Sequence, residues 1–147
     1  MASVKSVNYT KITADPIEKV DSEVLGGKIR VSYDNYEASS LASGSDITIG
    51  RIPTNATIMD VVLKCDALGG SSTLIVGDAG DDNRYLAAVG TWNAAGQVQS
   101  MLGGSTAANT AMTGLGYRTT AETDIVITTG GATISGSIHC WVMYTVE

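Results

Sequence analysis

The chain has 147 residues, of which 44% are hydrophobic and 16% are charged, and its formal net charge is −6. This length suits one domain, and the composition is neither that of a disordered tail nor that of a membrane protein. The acidic balance argues against nucleic-acid binding through phosphate contacts, and no apolar run approaches the roughly 20 residues that span a bilayer.

Residues 1–27 differ from the rest of the chain and are predicted to form an N-terminal arm. The segment mixes lysines and acids in short polar stretches, and Asp15–Pro16 breaks any helix there. Its apolar side chains suffice to lie along a partner surface but not to build a core. A disordered tail, or a first strand followed by a loop, would explain the same residues. The candidate partner-binding residues of the arm are Val4, Val7, Tyr9, Ile12 and Ile17.

Residues 28–147 are predicted to form one β-sandwich domain, because apolar and polar residues alternate with a period of two. Ile29, Val31 and Tyr33 share one face of the first strand, which the pattern makes its half-buried face. Residues 74–76 form a continuous apolar run that we expect to be covered on both faces. In a further predicted strand, one face carries Met59, Val61, Leu63 and Cys65, and these alternate with Ile58, Asp60, Val62 and Lys64.

About seven or eight such strands, separated by turns rich in Gly, Asp, Asn and Ser, account for most of this region. No run with a helical period competes with them. The sequence therefore predicts an all-β fold, an antiparallel two-sheet sandwich that is jelly-roll-like.

The C-terminal stretch has the longest alternation. Gly130–Gly131 is predicted to be the turn of a hairpin that joins residues 124–129 to the strand beginning at residue 132. Trp141 and Met143 lie on the face opposite the presumed core residues, and both residue types are enriched at interface cores. We expect them to bind a partner, although a central strand covered on both faces would explain them equally well.

A long connection runs from residue 90 to residue 120 and carries no charge between Thr91 and Tyr117. Small apolar and hydroxyl side chains suit contact with another protein, and Trp92 is a further candidate partner-binding residue. The alternative is a pair of irregular strands and a short helix inside the same core.

The sequence predicts no enzyme, no cofactor and no metal site. His139 is the only histidine, and the side chain of Cys140 points to the opposite face of the strand, so the two cannot act as base and nucleophile. Residues 78–83 are acidic, and calcium favours such oxygen-rich loops. Their spacing differs from an EF-hand, however, and a solvated hairpin turn accounts for the same residues.

Cys65 and Cys140 are far apart in sequence and each lies in an apolar strand. No apolar stretch follows Lys5, so we expect no secretory signal. Without export to an oxidising compartment, free buried thiols are favoured over a disulfide between these two residues.

Short motifs along most of the chain resemble small structural proteins of tailed bacteriophages, particularly capsid decoration or cement proteins. The motifs are Ala-Asp-Pro at 14–16, Gly-Gly-Lys-Ile-Arg-Val at 26–31, Ala-Thr-Ile at 56–58, Tyr-Leu-Ala-Ala at 85–88 and Gly-Tyr-Arg-Thr-Thr-Ala-Glu-Thr-Asp-Ile-Val-Ile-Thr at 116–128, followed by Gly-Gly-Ala and a terminal aromatic strand.

This resemblance implies a jelly-roll-like homotrimer on the outer capsid surface of the virion. There it would bridge neighbouring subunits of the major capsid protein, with the arm extended over them, and without nucleic-acid or membrane contacts. The family has no catalytic residues to carry over. The alternative is a phage tail or fibre component that binds host carbohydrate, with Trp92 or Trp141 stacking on a sugar. A small hydrolase is disfavoured by the single histidine.

Overall fold

The computed structural model describes residues 4–20, 25–89, 92–103 and 113–146. In these residues one short helix, α1 (Val7–Ile12), precedes eight strands. No helix in these ranges is long and apolar enough to cross a membrane. The strands are β1 (Arg30–Leu41), β2 (Asp46–Ile52), β3 (Ala56–Cys65), β4 (Thr73–Asp78), β5 (Asp81–Val89), β6 (Gln97–Ser100), β7 (Thr123–Gly130) and β8 (Ile134–Val146).

The strands form two antiparallel sheets of four strands each. Sheet A has the order β1-β8-β3-β6, and sheet B has the order β2-β7-β4-β5. Consecutive strands cross from one sheet to the other except where β4 and β5 pair within sheet B. Eight strands in this arrangement are a jelly roll. The predicted all-β, two-sheet antiparallel sandwich is confirmed.

The core lies between the sheets, because each strand directs every second side chain inward. In β7, Ile125 and Ile127 are fully buried while Val126 between them is half-buried. In β8, Ile138 and Val142 face them from the other sheet. The largest fully buried aliphatic side chains are Ile52, Ile58, Val61, Leu63, Leu74, Val76, Ile125, Ile127, Ile134 and Ile138.

The predicted hairpin around Gly130–Gly131 is wrong. These glycines carry the chain from β7 in sheet B to β8 in sheet A, so the two strands do not pair with each other. Gly131 has a φ of 75°, and a Cβ there would collide with the carbonyl oxygen of Ser71. The crossing therefore requires glycine, as a hairpin turn would, and the sequence signal is the same for both.

The predicted buried face of β1 is also wrong. Ile29 is 62% exposed, Val31 56% and Tyr33 52%. The reason is that β1 is an edge strand whose odd-numbered residues face away from sheet B. Among the even-numbered residues, which face sheet B, only Ala38 is fully buried. Alternation in a strand therefore shows which residues share a face, not that the chain's own core covers that face.

In two further places, burial does not follow the pattern of the sequence. Met59 is exposed and Ile58 is fully buried, because a bulge between Ile58 and Asp60 moves the alternation of β3 by one residue. Ile75 is half-buried, so residues 74–76 are not covered on both faces.

Cys65 and Cys140 are free and buried on adjacent strands of sheet A. Burial raises the pKa of each thiol to about 12, and for Cys65 the neighbouring Cys140 adds to the effect. Both thiols are therefore protonated at neutral pH, and the expectation of free buried thiols rather than a disulfide agrees with the structure.

A buried carboxylate fixes the β4–β5 turn. The oxygens of Asp78 accept hydrogen bonds from Arg84 Nε at 2.8 Å, from the Tyr85 hydroxyl at 2.7 Å and from the amide of Gly80 at 2.9 Å. Burial raises the pKa of Asp78, but the bonds from Arg84, Tyr85 and Gly80 outweigh it, so the pKa is lowered. The Arg84 guanidinium lies 4.0 Å from the ring centroid of Tyr117, which joins the 113–119 segment to the turn.

We expect Asp78→Ala to lower the free energy of unfolding by about 3 kcal/mol, because it leaves a largely buried guanidinium without its partner. Because the pKa of Asp78 is lowered in the folded state, its contribution is present above the ordinary pKa of about 3.9 and is lost as pH falls through the folded value. The difference between the two proteins should therefore shrink in acid.

Urea unfolding of the wild-type and Asp78→Ala proteins, between about pH 3 and pH 7, measures this difference in stability. The range brackets the ordinary carboxyl pKa of about 3.9. The matched control is Arg51→Ala, which removes the exposed ion pair to Asp124 and should change stability much less. Equal effects of the two substitutions would contradict the assignment of Asp78 as the residue that fixes the turn.

Candidate interaction surface

The outer face of sheet B is polar. A shallow groove of about 480 Å³ on it is bordered by Asp46, Thr48, Arg51, Glu122 and Asp124 among others. Arg51 makes ion pairs with Asp124 at 2.6 Å and with Glu122 at 3.3 Å, and all three side chains are well exposed. Exposed ion pairs and threonines of this kind are typical of a solvated face.

The outer face of sheet A, in contrast, carries an apolar stripe across neighbouring strands, with polar residues such as Asn35, Glu37 and Lys64 beside it. Cross-strand register pairs Val31 with Met143, and Tyr33 with Trp141, which in turn pairs with Val62. Trp141, Met143 and Val62 are half-buried, so the sheet presents a continuous stripe of large side chains to the outside. We call the residues of this stripe the apolar face: Val31, Tyr33, Val62, Val98, Trp141 and Met143.

An aromatic cluster holds the middle of the apolar face in place. The ring centroids of Tyr33 and Trp141 lie 5.0 Å apart, and those of His139 and Trp141 lie 6.0 Å apart. The Tyr33 hydroxyl and His139 Nδ1 share a hydrogen bond of 2.8 Å. A groove of about 350 Å³ lies beside these rings and is also lined by Lys64 and Asp66. Rings ordered in this way lose little side-chain entropy when a partner covers them.

The structure places Trp141 and Met143 on this face, side by side with residues that the sequence analysis did not select. Val31 and Tyr33 were assigned to the half-buried face of their strand, and Val62 was not selected as a contact residue. The sequence pattern of a strand does not show which strands lie beside it. Only the β1–β8–β3 register shows that the apolar residues of three separate segments share one surface.

Trp92 is not a surface residue, and its prediction as a partner contact is wrong. Its side chain is 1% exposed and belongs to the core. The segment that carries it folds back on the β3–β4 connection, since its carbonyl accepts from the Leu68 amide at 2.8 Å and the Gly96 amide donates to Cys65 at 2.9 Å. The first described part of the uncharged connection, which includes β6, is thus part of the sandwich, and the last part joins β3 through the bond from the Ile58 amide to the Tyr117 carbonyl at 2.9 Å. Residues 104–112 lie outside the described residues.

The arm exposes its apolar side chains. Val4 is 88% exposed, Val7 74% and Ile17 75%, while Tyr9 and Ile12 are exposed to a smaller extent. Helix α1, which the sequence did not predict, begins after the N-cap Ser6 and contains no buried residue. Nothing in the described part of this one chain buries these five side chains, which suits residues that pack on another molecule.

His139 and Cys140 point to opposite faces of β8, as expected. His139 bonds to Tyr33 on the outer face, and Cys140 is 1% exposed in the core. Asp78 in the acidic turn is occupied by Arg84 and Tyr85, which favours the structural interpretation of residues 78–83 over a calcium loop. Within the described ranges no three His, Cys, Asp or Glu side chains are grouped to hold a metal ion.

Three solved phage capsid structures contain a chain similar to this one. The chain in the "Cyanophage Pam1 capsid asymmetric unit" is 25% identical, with a TM-score of 0.65 over 84% of this chain and 88% of that chain. A chain in the capsid of Ralstonia phage GP4 is 19% identical, with a TM-score of 0.59 over 82% and 86%. A chain in the acidic stable capsid structure of Helicobacter pylori bacteriophage KHP30 is 10% identical, with a TM-score of 0.58 over 80% and 87%.

The chains from the GP4 and KHP30 capsids, at 19% and 10% identity, show only that this chain has a similar fold. No protein-family model and no curated protein sequence matches the chain. The likeness to the chain in the Pam1 capsid, at 25% identity, supports a structural role in a virion.

The two tryptophans should differ sharply in their access to solvent. We expect acrylamide to quench part of the fluorescence of the folded protein, because Trp141 is half-exposed whereas Trp92 is buried. Trp141→Phe should abolish the quenchable fraction and leave only protected emission. If substantial quenching persists in that variant, Trp92 is accessible and the corrected assignment fails.

Proposed function

We propose that this protein decorates and cements the outer surface of a bacteriophage capsid by bridging subunits of the major capsid protein. The observation that carries the proposal is the likeness to a chain in the cyanophage Pam1 capsid, which extends over nearly the whole of both chains. The shares covered are almost equal, so the matched chain is close to this one in length. A protein of this size is one small domain that acts through its surfaces.

The two outer faces assign an orientation to the proposed decoration protein. The apolar face of sheet A packs on the capsid, because large apolar side chains gain most from being covered. The acidic face of sheet B points to solvent, where charge keeps a particle from adhering to nucleic acid and to other particles. The contrast between the faces supports a protein that lies flat on a larger body.

The arm contributes a second attachment point in this proposal. It extends from the sandwich over a neighbouring capsid subunit, where Val4, Val7, Tyr9, Ile12 and Ile17 become buried. In a homotrimer these contacts occur three times, so weak individual contacts sum to firm attachment. We infer no catalysis, cofactor, nucleic acid or membrane in this function, since contact alone performs it.

The proposal is tested with purified protein and capsids that lack it. Wild-type protein should bind until the capsid sites are saturated and should raise the temperature at which the capsid opens. Trp141→Ala and Met143→Ala together should weaken binding at least roughly tenfold, because they truncate the centre of the apolar face. The matched control is Thr48→Ala with Thr128→Ala on sheet B, which should bind like wild type.

Two outcomes would contradict the proposal. If sheet B variants lose binding while sheet A variants keep it, the orientation is reversed. If the protein ignores capsids and binds host cells or glycans instead, it is the tail or fibre component, with Trp141 as the sugar-stacking residue. Trp92 is buried and cannot stack on a sugar without unfolding its surroundings.

The arm is tested in the full-length chain. Val7→Ser with Ile17→Ser should weaken capsid attachment by roughly tenfold while leaving thermal unfolding unchanged, because neither residue is packed in the isolated protein. Asn8→Ser is the control and should attach normally. Unchanged attachment of the double variant would reject the role of the arm.

A further inference from the structure

Among the residues that the structure describes, no strand pairs with the outer edge of β1. The strand has twelve residues and lies at the end of sheet A, and all of them are exposed except the half-buried Ser32 and Leu41 and the buried Ala38. Asp34 and Tyr36 point to the side of sheet B and are nevertheless exposed, so β1 extends beyond the sheet that should cover it. Long exposed edges of this kind pair with other chains unless they are protected.

The hydrogen-bond pattern shows which residues offer backbone groups at this edge. In an antiparallel ladder, successive residues direct their N–H and C=O groups alternately to the two sides of the strand. The carbonyl of Ser137 in β8 accepts a hydrogen bond from the Asp66 amide, on the β3 side, at 3.0 Å. The backbone groups of odd-numbered residues in β8 therefore point to β3, and those of even-numbered residues point to β1. Cys140 pairs with Asp34, and the even residues of β1 therefore bond to β8.

Odd residues of β1 consequently direct their backbone groups to the free edge. A separate observation agrees with this direction. The Asn35 amide donates to the side chain of Asp34 at 2.8 Å, so it is not part of the ladder between β1 and β8. That bond protects one end of the edge. The open part is centred on Val31 and Tyr33, whose side chains belong to the apolar face.

The charges of β1 are complementary to themselves. Arg30 lies two residues before Ser32, and Asp34 lies two residues after it. When two copies of the strand pair antiparallel about Ser32, Arg30 of each copy is opposite Asp34 of the other. The same register sets Val31 opposite Tyr33, and both have their backbone groups directed outward, as a hydrogen-bonded pair requires.

We propose that two copies of this protein associate edge to edge through β1, antiparallel and centred on Ser32. The contact joins two copies of sheet A into one eight-stranded sheet with a continuous apolar face. It is two-fold, so in the proposed coat it links chains of neighbouring trimers rather than the three chains of one trimer. The inference does not rest on capsid binding and is tested without capsids.

The test is a disulfide across the two-fold axis in full-length protein. In this register, Ser32 meets its own copy as a non-hydrogen-bonded pair with Cα atoms about 4.5 Å apart. That separation falls within the roughly 4.4–6.8 Å that a disulfide spans. Ser32→Cys should form a covalent dimer on mild oxidation at least tenfold faster than the control Ser39→Cys. The native cysteines are buried and do not compete.

Second substitutions separate edge pairing from random collision. In the Ser32→Cys protein, Val31→Pro should slow crosslinking tenfold, because it removes an outward N–H without removing a bond to β8. Val31→Thr keeps that N–H and should crosslink normally. Arg30→Asp should slow crosslinking, and adding Asp34→Arg should restore it, since the pair then attracts again.

Equal crosslinking of the Ser32→Cys and Ser39→Cys proteins would overturn the proposal. So would a rate that neither Val31→Pro nor Arg30→Asp changes. Circular dichroism of each variant confirms that the sandwich is folded, so loss of the fold is not mistaken for loss of the contact. Capsid binding of the same variants is a separate measurement, and its failure would bear on the proposed function only.

Discussion

Burial between two amphipathic sheets is the constraint on which the rest of the structure depends. Each sheet of a sandwich can hide one face against the other, and the jelly-roll order brings β8 and β7 to inner positions of the two sheets. The isoleucines of β7 and β8 fill that interface. Sheet B has a polar second face and is complete in itself. Sheet A has an apolar stripe on its second face, and we propose that a partner covers it.

Local patterns in the sequence predict the strands well and their neighbours poorly. The period-two alternation of β7 and β8 identifies their inward residues, because side-chain direction is a property of one strand. Pairing depends on residues far away in the chain, so Gly130–Gly131 signals a sharp change of direction without showing which sheet follows. Tyr33 and Trp92 illustrate the same limit. The ring of Tyr33, in an edge strand, is exposed, whereas the ring of Trp92, in a loop, is buried in the core.

The candidate surface was predictable in part for the same reason. Trp141 and Met143 stand out in one strand, and the sequence is sufficient to place them opposite the core. Val31, Tyr33 and Val62 join them only through the register of sheet A. The apolar face, the exposed arm and the open β1 edge are the three contact sites that we propose, while the Asp78–Arg84 pair and the core stabilise the domain that carries them.

The central claim is that the apolar face of sheet A is the side covered in the virion. A cryo-electron microscopy reconstruction of the decorated particle tests it most directly. The account predicts density for the sandwich on the capsid surface, with β1 and β8 against the shell and the acidic groove of sheet B facing outward. Density with Trp141 exposed to solvent and sheet B against the shell would contradict it.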